Sequence, residues 1–222
     1  MRPSEYQTNA LPVRPLRVCS GSDLHSGLLQ TSVDRISGCA LQHGFRLSPQ
    51  KTVGDHFYRK RGEQTDPILY LNNQQILFKE SVKFLGLIFD YQLNWKNHIS
   101  QLRSKCIKAM SLMRTLSHLK WGADRQSLLG IYRAVIRSKI DCGSQVYGSA
   151  KPNMLKKLDP VHNMALRYCT GAFGSSPIVS LCAESGEPPL QHRRDQLLLQ
   201  QCLRIYRLPN YNAIFDPVVV DP

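Results

Sequence analysis

The stretch ESVKFLGLIFDYQLNWKNHISQLRSKC, Glu80 to Cys106, decides how this chain is read. Its first half, VKFLGLIFD (82–90), is rich in β-branched and aromatic residues and predicts a buried strand. Gly86 stands in the middle of that run, where a glycine marks a bulge or the close approach of another backbone. After Trp95 the apolar period lengthens from strand-like to helical. Ile99, Leu102, Cys106, Ala109, Met110, Met113 and Leu116 line one helix face, while Arg103, Lys105, Lys108 and Arg114 take its other sides. A buried strand thus runs directly into a cationic helix.

Upstream of this junction the pattern predicts one helix and several short strands. Residues 1–20 read as an irregular arm with three prolines. Ser22 or Asp23 caps a helix over 23–43, with Leu29, Val33, Ile36 and Ala40 on one face and Gly44 as its stop. GFRLSPQKT (44–52) reads as a short strand and turn, VGDHFY (53–58) as another β-like run, and RKRGEQTDP (59–67) as a charged loop. ILYLNNQQIL (68–77) reads as two strands around Asn72-Asn73, a pair that tolerates the left-handed turn conformation.

Downstream the pattern is helical. Asp124 caps a helix with Leu128, Tyr132, Val135 and Ile136 on its apolar side and Arg125, Arg133, Arg137 and Lys139 among its basic residues. A further helical stretch runs from Lys151 to Tyr168, begun or bent by Pro160. Pro177 opens a short helix, and Pro188-Pro189 start the last one, Leu190 to Tyr206.

Charge narrows the function. Lysine and arginine number 29 against 16 acidic residues, a net charge of +13 that implies a polyanionic partner. The segment 101–170 holds 13 basic and 3 acidic residues, so most of the excess falls on the cationic helix and the helices after it. The seven cysteines are odd in number, widely spaced and without a C-x-x-C pair, which reads as reduced intracellular thiols, in nucleus or cytoplasm. Cys39 and His43 are four apart, but no second pair completes a zinc site, so no metal site is expected. No run is long enough for a membrane span, and the N-terminus lacks the apolar core of a secretory signal. Neither a hydrolytic triad nor a phosphate-binding G-x-x-x-x-G-K-[ST] loop is present.

Seven ordered segments carry a resemblance: CSGSDL (19–24), LQHGFRLSPQKT (41–52), FLGLIFDYQLNWKNHI (84–99), WGADRQSLL (121–129), YRAVIRSKIDCGSQVYGSA (132–150), LDPVHNMALRYCTGAF (158–173) and AESGEPPL (183–190). Together they resemble the C-terminal palm and thumb of the reverse transcriptases of non-LTR retrotransposons, jockey-like elements in particular. The resemblance implies that Lys51 matches the palm lysine near the departing pyrophosphate. Phe84, Leu85 and Gly86 match the hairpin that holds the primer 3′ end. Lys96, Arg103, Lys105, Lys108, Arg114, Arg133 and Arg137 then lie along the backbone of an RNA–DNA or DNA template–primer. The family's polymerisation uses paired aspartates and divalent metal ions, Mg²⁺, held in a turn just ahead of the CSG segment. Here that region reads LPVRPLRV, with no acidic residue between Glu5 and Asp23.

The expected fold is therefore α+β: a small antiparallel palm remnant with one helix (21–97), a basic helical thumb (98–170), and a C-terminal helical extension and tail (171–222). The expected function is template–primer binding by a polymerase fragment that lacks the catalytic pair, binds no cofactor of its own and is inactive alone. A partner polymerase chain is compatible with it. The alternatives are a helical protein-interaction module and the remnant of a decayed element. Exposed sheet edges in 45–90 are expected to favour aggregation.

Overall fold

A computed structural model describes residues 24–58, 66–118 and 122–207. The arm 1–20, the caps Ser22 and Asp23, the loop 59–65, Trp121 and the tail 208–222 lie outside the described residues. The chain divides into two compact units, 1–84 with 90–92, and 85–89 with 93–222.

The first unit is built on α1 (Leu24–Gln42), which ends where Gly44 turns left-handed at φ 78° and the Phe45 N–H returns to the Ala40 carbonyl. Four short strands follow, β1 (Val53–Gly54), β2 (Tyr70–Leu71), β3 (Gln74–Gln75) and β4 (Leu77–Phe78). Asn72 and Asn73 both take positive φ, 50° and 60°, and close the β2–β3 hairpin, as their side chains allow. The core is small: Leu69, Leu71 and Ile76, with Leu29, Val33, Leu47 and Phe78 against them. Ile36, expected on the same helix face, is exposed. Gln30 ties α1 to β2 by mimicking a strand: its amide accepts from Tyr70 N–H at 2.8 Å and donates to the Tyr70 carbonyl at 2.9 Å.

Three readings of this region change. Residues 45–48 form no strand, because Phe45 N–H is used to close α1 and Pro49 opens a 3₁₀ turn, Pro49–Lys51, that receives the chain. The sheet is not wholly antiparallel: β1 pairs with β4 in parallel, Val53 opposite Leu77. The run 82–90 is not one strand with a central glycine. It is a two-stranded hairpin, β5 (Ser81–Phe84) and β6 (Leu87–Asp90), with Leu85 (φ 47°) and Gly86 (φ 86°) at its turn. Two successive positive φ angles reverse the chain, and a glycine at the second position makes that reversal accessible.

The second unit is helical. It comprises α2 (Lys96–Leu116), α3 (Arg125–Tyr132), a π-helical turn (Arg133–Arg137), α4 (Ser138–Asp141) and α5 (Ser144–Tyr147). After these come α6 (Pro152–Leu155), a 3₁₀ turn (Lys156–Leu158), α7 (Asp159–Thr170), α8 (Ile178–Ser185) and α9 (Leu190–Tyr206). Asp124 caps α3 as its sequence position predicts, accepting from the N–H groups of Gln126 and Ser127. Pro160 lies in the first turn of α7, where a missing N–H costs nothing. One core runs through the unit, with Ile99, Cys106, Met113, Tyr132, Ile136, Tyr147, Leu158 and Leu166 at its centre. Each such apolar side chain stabilises the fold by roughly 1.5–3 kcal/mol. Cys182 and Leu190 belong to the same core, which ties α8 and the start of α9 to the preceding helices.

Candidate nucleic-acid interface

The join between strand and cationic helix is a set of contacts within the second unit, made by three successive residues of β6. Leu87 is buried against Gly143, where an added Cβ would meet the leucine Cδ2 at 2.6 Å and φ is already 70°. Only glycine fits there. Ile88 donates its N–H to His98 Nδ1 at 3.3 Å. Burial, with a smaller contribution from Lys105, lowers the His98 pKa and keeps this nitrogen free to accept. Phe89 meets Trp95 edge-on, with ring centroids 5.0 Å apart. Trp95 itself sits at φ 61° immediately before α2 and donates from Nε1 to Ser149 Oγ at 3.1 Å.

At the other end of this attachment the turn points outward. Phe84 is 41 % exposed and Leu85 79 %, so the hairpin tip presents apolar side chains to solvent. A leucine at positive φ carries a backbone strain on the order of 1 kcal/mol.

The helix α2 begins with Lys96 and has no acidic residue in its first turn, so a cation meets the positive end of the helix dipole. Ile99, Leu102, Cys106 and Met113 form the buried stripe. At 3.6 residues per turn, the five cations fall on two flanks of that stripe rather than on one opposing face. Lys96, Arg103 and Arg114 lie on one side, with Ile107. Lys105 and Lys108 lie on the other, with Leu112. All five cations are exposed. Burial raises the pKa of the Cys106 thiol, and Lys139 and Lys105 act against that rise.

Arg133 and Arg137 are engaged by a carboxylate. Their guanidinium groups donate to opposite oxygens of Glu187, Nε of Arg133 to Oε1 and Nη1 of Arg137 to Oε2, each at 2.6 Å. The Glu187 side chain is 1 % exposed, against 48 % for Arg133 and 25 % for Arg137. Burial alone would raise the Glu187 pKa, but the two arginine hydrogen bonds outweigh it and hold the carboxylate ionised. Asp141 extends the network, 3.7 Å from Arg137 and 2.9 Å from Arg193. Glu187 has no such role in the sequence pattern, where its only signal is a lone carboxylate between Gly186 and two prolines.

Beside this network the Tyr132 hydroxyl lies 2.6 Å from His162 Nδ1. Burial pushes the phenol pKa far up and the imidazole pKa down to about 4, so the tyrosine donates and the neutral histidine accepts.

Lys51 is exposed at the end of the 3₁₀ turn in the first unit. Phe84 belongs to that unit, whereas Leu85, Gly86 and α2 belong to the second. Burial, then the neighbouring Asp90 and Asp66, push the Asp55 carboxyl up to about 6. Among the described residues no group of three or more His, Cys, Asp or Glu side chains could hold a metal ion. No described helix is long and apolar enough to cross a membrane.

The chain is similar to the RNA-directed DNA polymerases of retrotransposons. It is 25 % identical over 131 residues to the Retrovirus-related Pol polyprotein from type-1 retrotransposable element R1 4 of Nasonia vitripennis, covering 59 % of this chain and 33 % of the relative. It is 26 % identical over 148 residues to the RNA-directed DNA polymerase from mobile element jockey of Drosophila melanogaster, covering 65 % of this chain and 16 % of the relative. The Probable RNA-directed DNA polymerase from transposon X-element of the same organism is 24 % identical over 147 residues, covering 64 % and 16 %. The matched regions span a third or less of these relatives. No protein-family model matches the chain, and no solved structure does.

Proposed function

We propose, from this similarity to the reverse transcriptases of non-LTR retrotransposons, that the chain contributes template–primer binding to an RNA-directed DNA polymerase. The observation that carries the reading is α2, a helix with five exposed cations, held within its own unit by the Leu87, Ile88 and Phe89 contacts of β6. Phosphate contacts hold a duplex without reading its sequence. The apolar tip suits the face of a base or sugar at a primer end. In this reading Lys96, Arg103, Lys105, Lys108 and Arg114 contact phosphates, Phe84, Leu85 and Gly86 contact the primer terminus, and Lys51 serves the pyrophosphate side. Arg133 and Arg137 serve the fold through Glu187.

Residues 1–222 by themselves do not extend a primer in this reading, because polymerisation of this class needs paired carboxylates for two metal ions. The test is binding of the purified chain to a labelled RNA–DNA primer–template at two salt concentrations, with an extension reaction containing Mg²⁺ and deoxynucleotides. Salt-sensitive binding without extension is expected. Extension would overturn the catalytic part of the reading, and absence of binding its nucleic-acid part.

A second reading, association with further polymerase segments, is favoured by the first unit. Leu28, Leu41, Ile68 and Leu77 are exposed there around a core of three fully buried residues. Binding insensitive to salt, with a protein partner needed for solubility, would select it over the first.

A further inference from the structure

The described ion pairs of the helical unit are made by arginines. Among the described residues, Arg125 pairs with Glu184, Arg133 and Arg137 with Glu187, and Arg193 with Asp141. Arg167 donates to the carbonyls of Phe173 and Ser176. No described lysine takes part in an ion pair. These arginines act as struts, whereas Arg103 and Arg114 of α2 are exposed alongside the lysines.

Those lysines are not scattered. Lys139 lies in α4, Lys151 directly before α6, and Lys156 and Lys157 in the 3₁₀ turn after it. All four are exposed, and α4, α6 and the 3₁₀ turn each pack on α2. The carboxylate of α4, Asp141, is engaged by Arg137 and Arg193. Asp159, at the start of α7, attracts Arg194 and Lys156.

We propose that the polyanion-binding surface continues from α2 onto α4 and the α6 turn, with Lys139, Lys151, Lys156 and Lys157 as additional contacts to a sugar–phosphate backbone. The proposal rests on the nucleic-acid reading above and extends its footprint. Like charges gathered on adjacent elements repel, and a phosphate backbone removes that cost while releasing its own counterions. An ammonium on a flexible stem follows phosphates as a point charge.

The test uses the full chain and a labelled RNA–DNA heteroduplex, with affinity measured across a potassium chloride series. One variant combines Lys151→Gln, Lys156→Gln and Lys157→Gln, and a second combines Lys105→Gln and Lys108→Gln. Circular dichroism checks that each remains folded, as exposed substitutions should. Each lost phosphate contact lowers the slope of log affinity against log salt by about 0.9, so the triple variant should lose up to about 2.7. A fourfold rise in salt would then weaken its binding about 40-fold less than that of the parent chain. A triple variant with the parent slope, beside a double variant whose slope falls, would overturn the extension and leave α2 as the binding surface. Unchanged slopes in both, or no binding by the parent, would overturn the nucleic-acid reading itself.

Discussion

His162 is the residue whose chemistry departs furthest from its sequence context. It stands in α7 within an ordinary VHNMAL run, yet it is buried to 2 % exposure against Tyr132. Its imidazole pKa falls from 6.5 to about 4, chiefly through burial, with Glu187 and Arg137 acting in opposite directions. Between those values the unfolded chain binds a proton that the folded chain refuses. Stability is therefore complete above pH 6.5 and falls as the pH drops towards 4, by about 3 kcal/mol for this group. His98, and Glu187 below about pH 4.5, add to the same trend, whereas Asp55 of the first unit, raised to about 6, opposes it. Urea unfolding followed from pH 7 to pH 4 should show this loss. His162→Gln, which retains an acceptor for Tyr132 but does not titrate, should flatten the curve in part. An unchanged pH slope in that variant would remove His162 as the group taking up the proton. None of this was legible in sequence, because a buried and an exposed histidine are written with the same letter.

At the scale of elements, the β5–β6 hairpin shows what a local pattern conceals. A run of apolar residues across 82–90 reads equally well as one buried strand or as two short ones. The glycine signalled special backbone, but not whether a bulge or a reversal. Two positive φ angles at Leu85 and Gly86 settle it as a turn. Asparagine before glycine is the favoured pair in such a turn. Leu85→Asn should therefore leave stability unchanged or raise it by up to about 1 kcal/mol. It should also weaken primer–template binding if the apolar tip makes the contact proposed for it. Thermal melting paired with heteroduplex affinity separates the two effects. A variant that both melts earlier and binds normally would assign Leu85 to the fold instead. The helices were more legible. Asp124, Pro160, Pro177 and Pro189 mark helix starts by chemistry that acts within one turn.

For the whole molecule, the contrast between the two units predicts a contrast in local stability. Among the described residues the first has three buried core residues and strands of two to four residues, whereas the second has one extended core spanning α2 to the start of α9. Hydrogen exchange should find amides of β2 and β3 poorly protected and those of α2, α3 and α7 protected to near the global stability of their unit. Equal protection in both would mean that the small core is supported by something beyond its own contacts.

The starts of α3, α8 and α9, the α1 stop at Gly44, the Asn72-Asn73 turn and the concentration of positive charge after residue 100 are legible in the sequence. These depend on neighbours three or four positions apart, or on composition alone. Tertiary structure decided which cations remain available. Arg133 lies 54 residues from Glu187, and Arg193 lies 52 from Asp141. Whether an arginine meets a carboxylate over that separation depends on how the helices pack. In the sequence, Arg133 and Arg137 were indistinguishable from Arg103 and Lys105. The fold brings the first two to a buried carboxylate and leaves the others facing solvent.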